Sequence, residues 1–225
     1  MYGVLPYRIL ALTFTNKAER EMKERIAKLV NQEQASQLYM GTFHSVFSRI
    51  LRAEAQHIGY NSNFTIYDET DSRSLLKSII KTLGLNDEDY KPSTVHNIIS
   101  MAKNQFIGPD AFGSSYGGQS GLRGAKLQAV TRIYTVYQAR CQQANAIDFD
   151  DILVNTFRLL NENADIRNKY ADRFQYILVD EYQDTNSVQV AIVKLLTVKH
   201  QRCWLVGDEY KRIFSFRGAN IDIIL

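Results

Sequence analysis

Cysteine is nearly absent: Cys141 and Cys203 are the only two in 225 residues. They lie far apart and fit no metal-ligand spacing, so a disulfide framework and a cysteine-based metal centre are excluded and reduced cytosolic thiols are expected. Long apolar runs are missing as well. None approaches the ~20 residues that a membrane-spanning helix requires, and no secretory leader is visible at Met1. Charge of one sign is scarce, with 27 Lys and Arg against 24 Asp and Glu and a formal net charge of +3. That balance permits a nucleic-acid partner without arguing for one, because clustering carries the signal and the total does not. The run Gly-Lys-Ser/Thr occurs nowhere, so no P-loop can be assigned. What is present is a soluble globular composition, 45% apolar and 23% charged, in a length suited to one large or two small domains.

The chain is organised around residues 176–186, YILVDEYQDTN, where apolar Ile177, Leu178 and Val179 end abruptly in Asp180 and Glu181. A buried strand that delivers two carboxylates to its C-terminal end places them where open α/β sheets bind ligands. Hydrated Mg²⁺ carrying a nucleotide is the simplest partner, since that ion takes one or two carboxylates plus phosphate oxygens. The plainer alternative is an acidic strand end that merely suits the dipole of the helix behind it.

The same pattern recurs along the chain. Residues 9–14 (ILALTF) read as a buried strand, followed by Thr15 and Asn16 as N-cap candidates. Over residues 17–30 the apolar Ala18, Met22, Ile26 and Val30 recur every fourth position, an amphipathic helix. Residues 38–41 form a second strand, then Thr42, Phe43, His44 and Ser45 lead into a helix from about Ser45 to Ile58. His44 fits either a satisfied core histidine or a phosphate contact at a helix N-terminus.

Residues 64–67 are a third strand candidate, and a helix follows to Leu83, stopped by Gly84. Residues 91–106 and 124–146 then read as helices with no strand between them, separated by a surface loop at 108–124 with six Gly and three Ser. Residues 148–160 resume an amphipathic helix. Asp148, Asp150 and Asp151 fit metal ligation or, more plainly, the electrostatics of its N-terminus. A helix after Asn186 and a strand at 203–206, ending at Gly207 and Asp208, complete the pass. Strands alternating with helices predict an α/β fold with a mostly parallel sheet covered on both faces. Polar groups at 13–16, 180–181 and 207–208 would then gather on one sheet edge.

In order, ILALTFTNKAEREMKERI, GTFHS, DFDDIL, ILVDEYQDTN and VGDEYKRIFSFRGA resemble the motifs of UvrD/Rep/PcrA-like DNA helicases of superfamily 1. The resemblance covers nearly the whole chain. It implies a RecA-like motor domain, incomplete, at residues 1–67 and 147–225, with an inserted all-helical subdomain at residues 68–146. ATP and Mg²⁺ are the implied cofactors; single-stranded DNA and single/double-strand junctions are the implied partners, with accessory repair or replication proteins and no membrane. A bacterial cytoplasmic, nucleoid-associated setting follows from the family.

Residue by residue, the resemblance makes Asp180 the Mg²⁺ ligand and Glu181 the general base that activates water. Gln183, Asp208, Lys211 and Arg217 take coupling positions. Phe14, Phe214 and Phe216 fall where the family stacks rings on bases, while Asn16, Thr42 and His44 contact the DNA or couple the two sites. Two departures stand out. The family's Walker A loop is not found, and Lys211-Arg212 replaces the usual Gln-Ser. The chain also ends before a second motor domain, so the isolated polypeptide is expected to be inactive as an ATPase and unable to unwind DNA. The alternatives are a non-catalytic DNA-binding module with a degenerate motor fold, or part of a helicase–nuclease subunit.

Overall fold

The computed structural model describes residues 4–116 and 121–207. A short 3-10 turn, Pro6–Arg8, feeds strand β1, Ile9–Thr13. Helix α1, Asn16–Leu29, begins where Thr15 Oγ1 accepts the Ala18 N–H at 3.1 Å. A short helix α2, Gln32–Ser36, precedes strand β2, Tyr39–Thr42, which runs straight into helix α3, Phe43–Ala53. Another 3-10 turn, Ala55–Ile58, leads to strand β3, Thr65–Tyr67, and helix α4, Glu69–Thr82, which Asp68 and Asp71 close with a reciprocal capping box. Helix α5 is Pro92–Lys103; the three-residue α6, Pro109–Ala111, continues into a π turn, Phe112–Tyr116. Helix α7 spans Gly124–Gln143, strand β4 Ala146–Asp148, helix α8 Phe149–Glu162 and helix α9 Ala164–Arg173. Strand β5, Tyr176–Val179, helix α10, Ser187–Thr197, and strand β6, Cys203–Leu205, follow. No described helix is long and apolar enough to cross a membrane.

The chain divides into two compact units, Met1–Leu51 with Asn155–Leu225, and Arg52–Val154. The first is built on a four-stranded sheet in the order β2-β1-β5-β6, every pair parallel. Leu10, Ala11, Leu12 and Thr13 are all buried. Successive strand residues face opposite sides, so an unbroken buried run means that both faces of β1 are covered, as the α/β reading required. Phe43 and Phe47 of α3 and Val188, Ile192 and Leu196 of α10 supply buried side chains. The turn into α3 needs Gly41: a Cβ there would overlap Ser45 Oγ and lie 3.2 Å from Val46 Cγ2.

The second unit packs Leu76, Ile80, Val95, Ile99, Ile133 and Tyr137 into a separate core. It also holds a parallel pair, β3 with β4, in register Thr65↔Ala146 through Tyr67↔Asp148. Strand β4 lies where the sequence reading passes from one helix to the next. Three residues are too few to show alternation, and the strand is defined by its partner 81 positions away (146 − 65). The glycine-rich stretch also differs from a plain loop. Phe112 and Tyr116 are buried at 0% and 2% exposure, and the Phe112 ring meets Tyr134 edge-on at 5.7 Å. Glycine and serine dominate the composition of 108–124, but the two aromatics anchor residues 112–116 to the helical core.

Candidate functional site

Because all four strands of the larger sheet are parallel, their C-terminal ends share one edge. Thr13 pairs with Thr42, and Val179 pairs with Leu205. The ladder continues past the strands. The Asp180 N–H donates to Leu12 O at 3.0 Å, the Val206 N–H to Val179 O at 2.8 Å and the Tyr182 N–H to Val206 O at 2.9 Å. The acidic pair is therefore stitched on one side to the end of β1 and on the other to the end of β6. Gly207 completes the arrangement: a Cβ on it would come within 2.7 Å of Gln183 Oε1 and 3.5 Å of Gln183 N. The turn after β5 closes onto Gly207 because no side chain is there.

Glu181 sits in the left-handed region at φ 53°, ψ 39°. A non-glycine residue in such a conformation costs about 1–3 kcal/mol and persists only where its surroundings impose it. Here the Glu181 N–H donates to Asp180 Oδ1 at 2.9 Å and Glu181 O accepts the Asp184 N–H at 2.9 Å. The rest of the motif is structural. Tyr182 is buried, Thr185 Oγ1 donates to Tyr182 O at 2.7 Å, and Asn186 caps α10 reciprocally with Gln189. Within residues 176–186 the left-handed conformation thus falls on Glu181, the second of the two adjacent carboxylates. Asp180 and Glu181 are both half-buried, and two adjacent carboxylates suit Mg²⁺ that arrives with phosphate oxygens. Among the described residues no three His, Cys, Asp or Glu side chains converge on a metal position.

Phe14 follows β1 directly and is half-buried, its ring 5.3 Å from that of Phe43 at the start of α3. Asn16 is exposed in the first turn of α1. Thr42 ends β2 and caps α3, its Oγ1 accepting the Ser45 N–H at 3.2 Å. The structure brings Phe14, Thr42, His44, Asp180, Glu181 and Gln183 to the strand ends of one sheet. Asp208, Lys211, Phe214, Phe216 and Arg217 lie outside the described residues.

Burial lowers the pKa of His44 from 6.5 to about 4, so the imidazole is neutral at pH 7 and offers a hydrogen bond without a positive charge. Between about pH 6.5 and 4 the unfolded chain binds more protons at this residue than the folded one, so its contribution to stability falls as pH falls. We expect His44→Asn to flatten the pH dependence of unfolding in that window, measured by urea titration. A slope unchanged by the substitution would contradict a buried neutral imidazole.

Sequence reasoning missed Lys103. Its Nζ lies 2.6 Å from Asp148 Oδ2 and 2.9 Å from Asp151 Oδ1, with all three side chains 2–4% exposed. Asp148 also accepts the Asp151 N–H at 2.9 Å, so it does serve the start of α8, while its second oxygen faces a buried cation. No local signal marked it: Lys103 ends its helix beside polar Ser100 and Asn104. Phe149, between these aspartates, is 54% exposed.

Residues 2–225 match the UvrD/REP helicase N-terminal domain family. The ATP-dependent DNA helicase PcrA of Leuconostoc citreum is 40% identical over 223 residues, 99% of this chain and 29% of that protein. The PcrA of Staphylococcus aureus (strain NCTC 8325 / PS 47) is 42% identical over 223 residues, 99% and 30% respectively. That of Staphylococcus epidermidis is 40% identical over 222 residues. The chain spans about 30% of the length of these relatives. The match runs through both compact units, and the motif order and parallel-sheet geometry agree with it: the chain belongs to the UvrD/REP helicase N-terminal domain family.

Proposed function

We propose that this chain is part of an ATP-dependent DNA helicase that moves 3′ to 5′ along single-stranded DNA and opens the duplex at single/double-strand junctions. The carrying observation is the backbone stitching of Asp180 and Glu181 between the ends of β1 and β6, beside Phe14 and the Thr42–His44 turn. The candidate catalytic pair and a candidate DNA contact then sit at adjacent strand ends, tied by the Asp180 N–H bond to Leu12 O two residues before Phe14. Residues 1–67 and 147–225 are assigned to the motor domain and residues 68–146 to the inserted subdomain. The protein works in the bacterial cytoplasm.

In this reading Asp180 holds Mg²⁺, and Glu181 accepts a proton from the water that attacks the γ-phosphate. Gln183, with its side-chain oxygen at Gly207, relays changes between the two strand ends. Mg²⁺, when bound, neutralises charge on the β- and γ-phosphates. Phe14 offers a ring to a base; Asn16, Thr42 and neutral His44 hydrogen-bond the backbone. Asp208, Lys211 and Arg217 complete the coupling positions, and Phe214 and Phe216 add stacking, on the sequence motif alone. The 225-residue chain contains no Gly-Lys-Ser/Thr, and by itself it hydrolyses ATP negligibly.

Fluorescence titration of the chain with a labelled oligothymidylate tests the DNA half. Affinity should fall as salt rises, through counterion release. Phe14→Ala should cost about 1–3 kcal/mol, the worth of one stacked base. An affinity indifferent to Phe14→Ala would remove the assignment.

A further inference from the structure

At the opposite end of the strands the sheet presents a different chemistry. Strand β1 has five residues, so at ~3.3 Å per residue its N-terminal edge lies about 16 Å from the acidic pair. There Tyr7, Arg8, Lys169, Asp172 and Arg173 line an open hollow of about 470 Å³. Arg8 directly precedes β1, and Arg173 ends α9 three residues before β5.

The guanidiniums are held by aromatic rings. That of Arg173 lies 4.9 Å from the centre of Tyr39 and 5.6 Å from that of Phe174, Arg49 covers Tyr39 at 4.5 Å, and Arg8 lies 5.9 Å from the ring of Tyr7. Neither Arg8 nor Arg173 has a carboxylate partner among the described residues. The one acid in the lining, Asp172, is paired with Lys199 and lies 3.7 Å from His200 Nε2. Lys199, and then His200, hold its carboxyl below the usual range, so it stays ionised and its charge is already answered. The hollow is thus net positive.

We propose that this edge is a docking surface for an acidic segment of a partner protein. The rings of Tyr39 and Phe174 flank the planar N–H fork of Arg173, Arg8 adds a second fork in the same lining, and a fork matches a carboxylate in bidentate geometry. Nucleic acid fits less well on two counts. The ring of Tyr39 lies under two guanidiniums, so it is a support and not a base platform. The cations of the lining occupy one hollow and form no stripe. A partner here would leave the C-terminal edge open to nucleotide and DNA. The inference stands on this surface alone and does not depend on the helicase reading.

The test is fluorescence anisotropy of the 225-residue chain with a fluorescein-labelled octaglutamate probe. A charge-assisted hydrogen bond is worth about 1.5–3 kcal/mol, so Arg8→Gln and Arg173→Gln should each weaken the probe about tenfold or more. Arg173→Lys should recover part of the loss, and Lys77→Gln, on an exposed site of the other unit, should change nothing. Unlabelled oligothymidylate should not displace the probe. Should Arg173→Gln loosen its stacking neighbours, visible as a lowered Tm, Arg8→Gln decides alone. Probe affinity indifferent to Arg8→Gln overturns the proposal, and so does equal displacement by oligothymidylate, which would make the edge a nucleic-acid surface.

Discussion

Replacing Lys103 with methionine should destabilise the Arg52–Val154 unit by about 3–5 kcal/mol, the cost of leaving a buried charge without its partner. Lys103, Asp148 and Asp151 are almost fully enclosed, and the Tyr137 hydroxyl donates to Asp148 Oδ2 at 3.0 Å while Gln138 Nε2 donates to Asp151 Oδ2 at 3.3 Å. Burial alone would lower the pKa of Lys103, but Asp148 and Asp151 raise it well above the ordinary value. Burial and then the Asp148 charge push Asp151 up to about 6, whereas Lys103 overcomes burial to hold Asp148 below the usual carboxylate range. One cation thus serves two anions, and methionine would leave both carboxylates facing each other without it.

The signs with pH follow from those shifts. Asp151 binds a proton in the folded state over about pH 4 to 6, so its contribution to stability grows as pH falls through 6. The Lys103→Met penalty should therefore shrink toward pH 5, as the carboxylates it exposes to each other protonate. Asp151→Asn, which removes the surplus negative charge, should cost far less than Lys103→Met. Urea denaturation of the three proteins at pH 7.5 and 5 checks the set. Equal losses for Lys103→Met and Asp151→Asn at both pH values would show that charge balance is not what the cluster supplies.

In the full-length protein, Glu181→Gln should lower DNA-stimulated ATP turnover about 10²–10⁴-fold, the usual contribution of a positioned general base, while nucleotide binding is retained. Glutamine keeps the size and the left-handed backbone of Glu181 but cannot accept the proton. Asp180→Asn should instead raise the Mg²⁺ concentration needed for half-maximal turnover, because an amide oxygen is a poorer partner for a hard cation. The two outcomes separate proton transfer from metal binding. Steady-state turnover across Mg²⁺ concentrations, with and without single-stranded DNA, distinguishes them, and a Glu181→Gln protein that turns over normally would remove the base assignment.

The parallel sheet was legible because its strands are short apolar runs that stop at polar residues, as at Val179–Asp180 and Phe14–Thr15. The cap at Thr15 was legible for the same local reason. What the sequence could not display was non-local. Strand β4 exists by pairing with Thr65–Tyr67, and Phe112 and Tyr116 order a glycine-rich stretch only because a helical core lies beneath them. Lys103 reads as an ordinary helix-end lysine until Asp148 and Asp151, 45 and 48 positions on, are folded against it. Within the site, residue types were readable, but the left-handed backbone of Glu181 and the side-chain-free approach at Gly207 are properties of the packed strand ends.

In the proposed reading a nucleotide-bound divalent ion would sit at the strand ends beside Asp180. Substituting Fe²⁺ for Mg²⁺ in the full-length protein with bound ATP, and mapping oxidative backbone cleavage, reads that position directly. Cuts are expected near residues 12–15, 180–183 and 206–207, abolished by Asp180→Asn. Cleavage confined to other segments, or unchanged by Asp180→Asn, would contradict that reading.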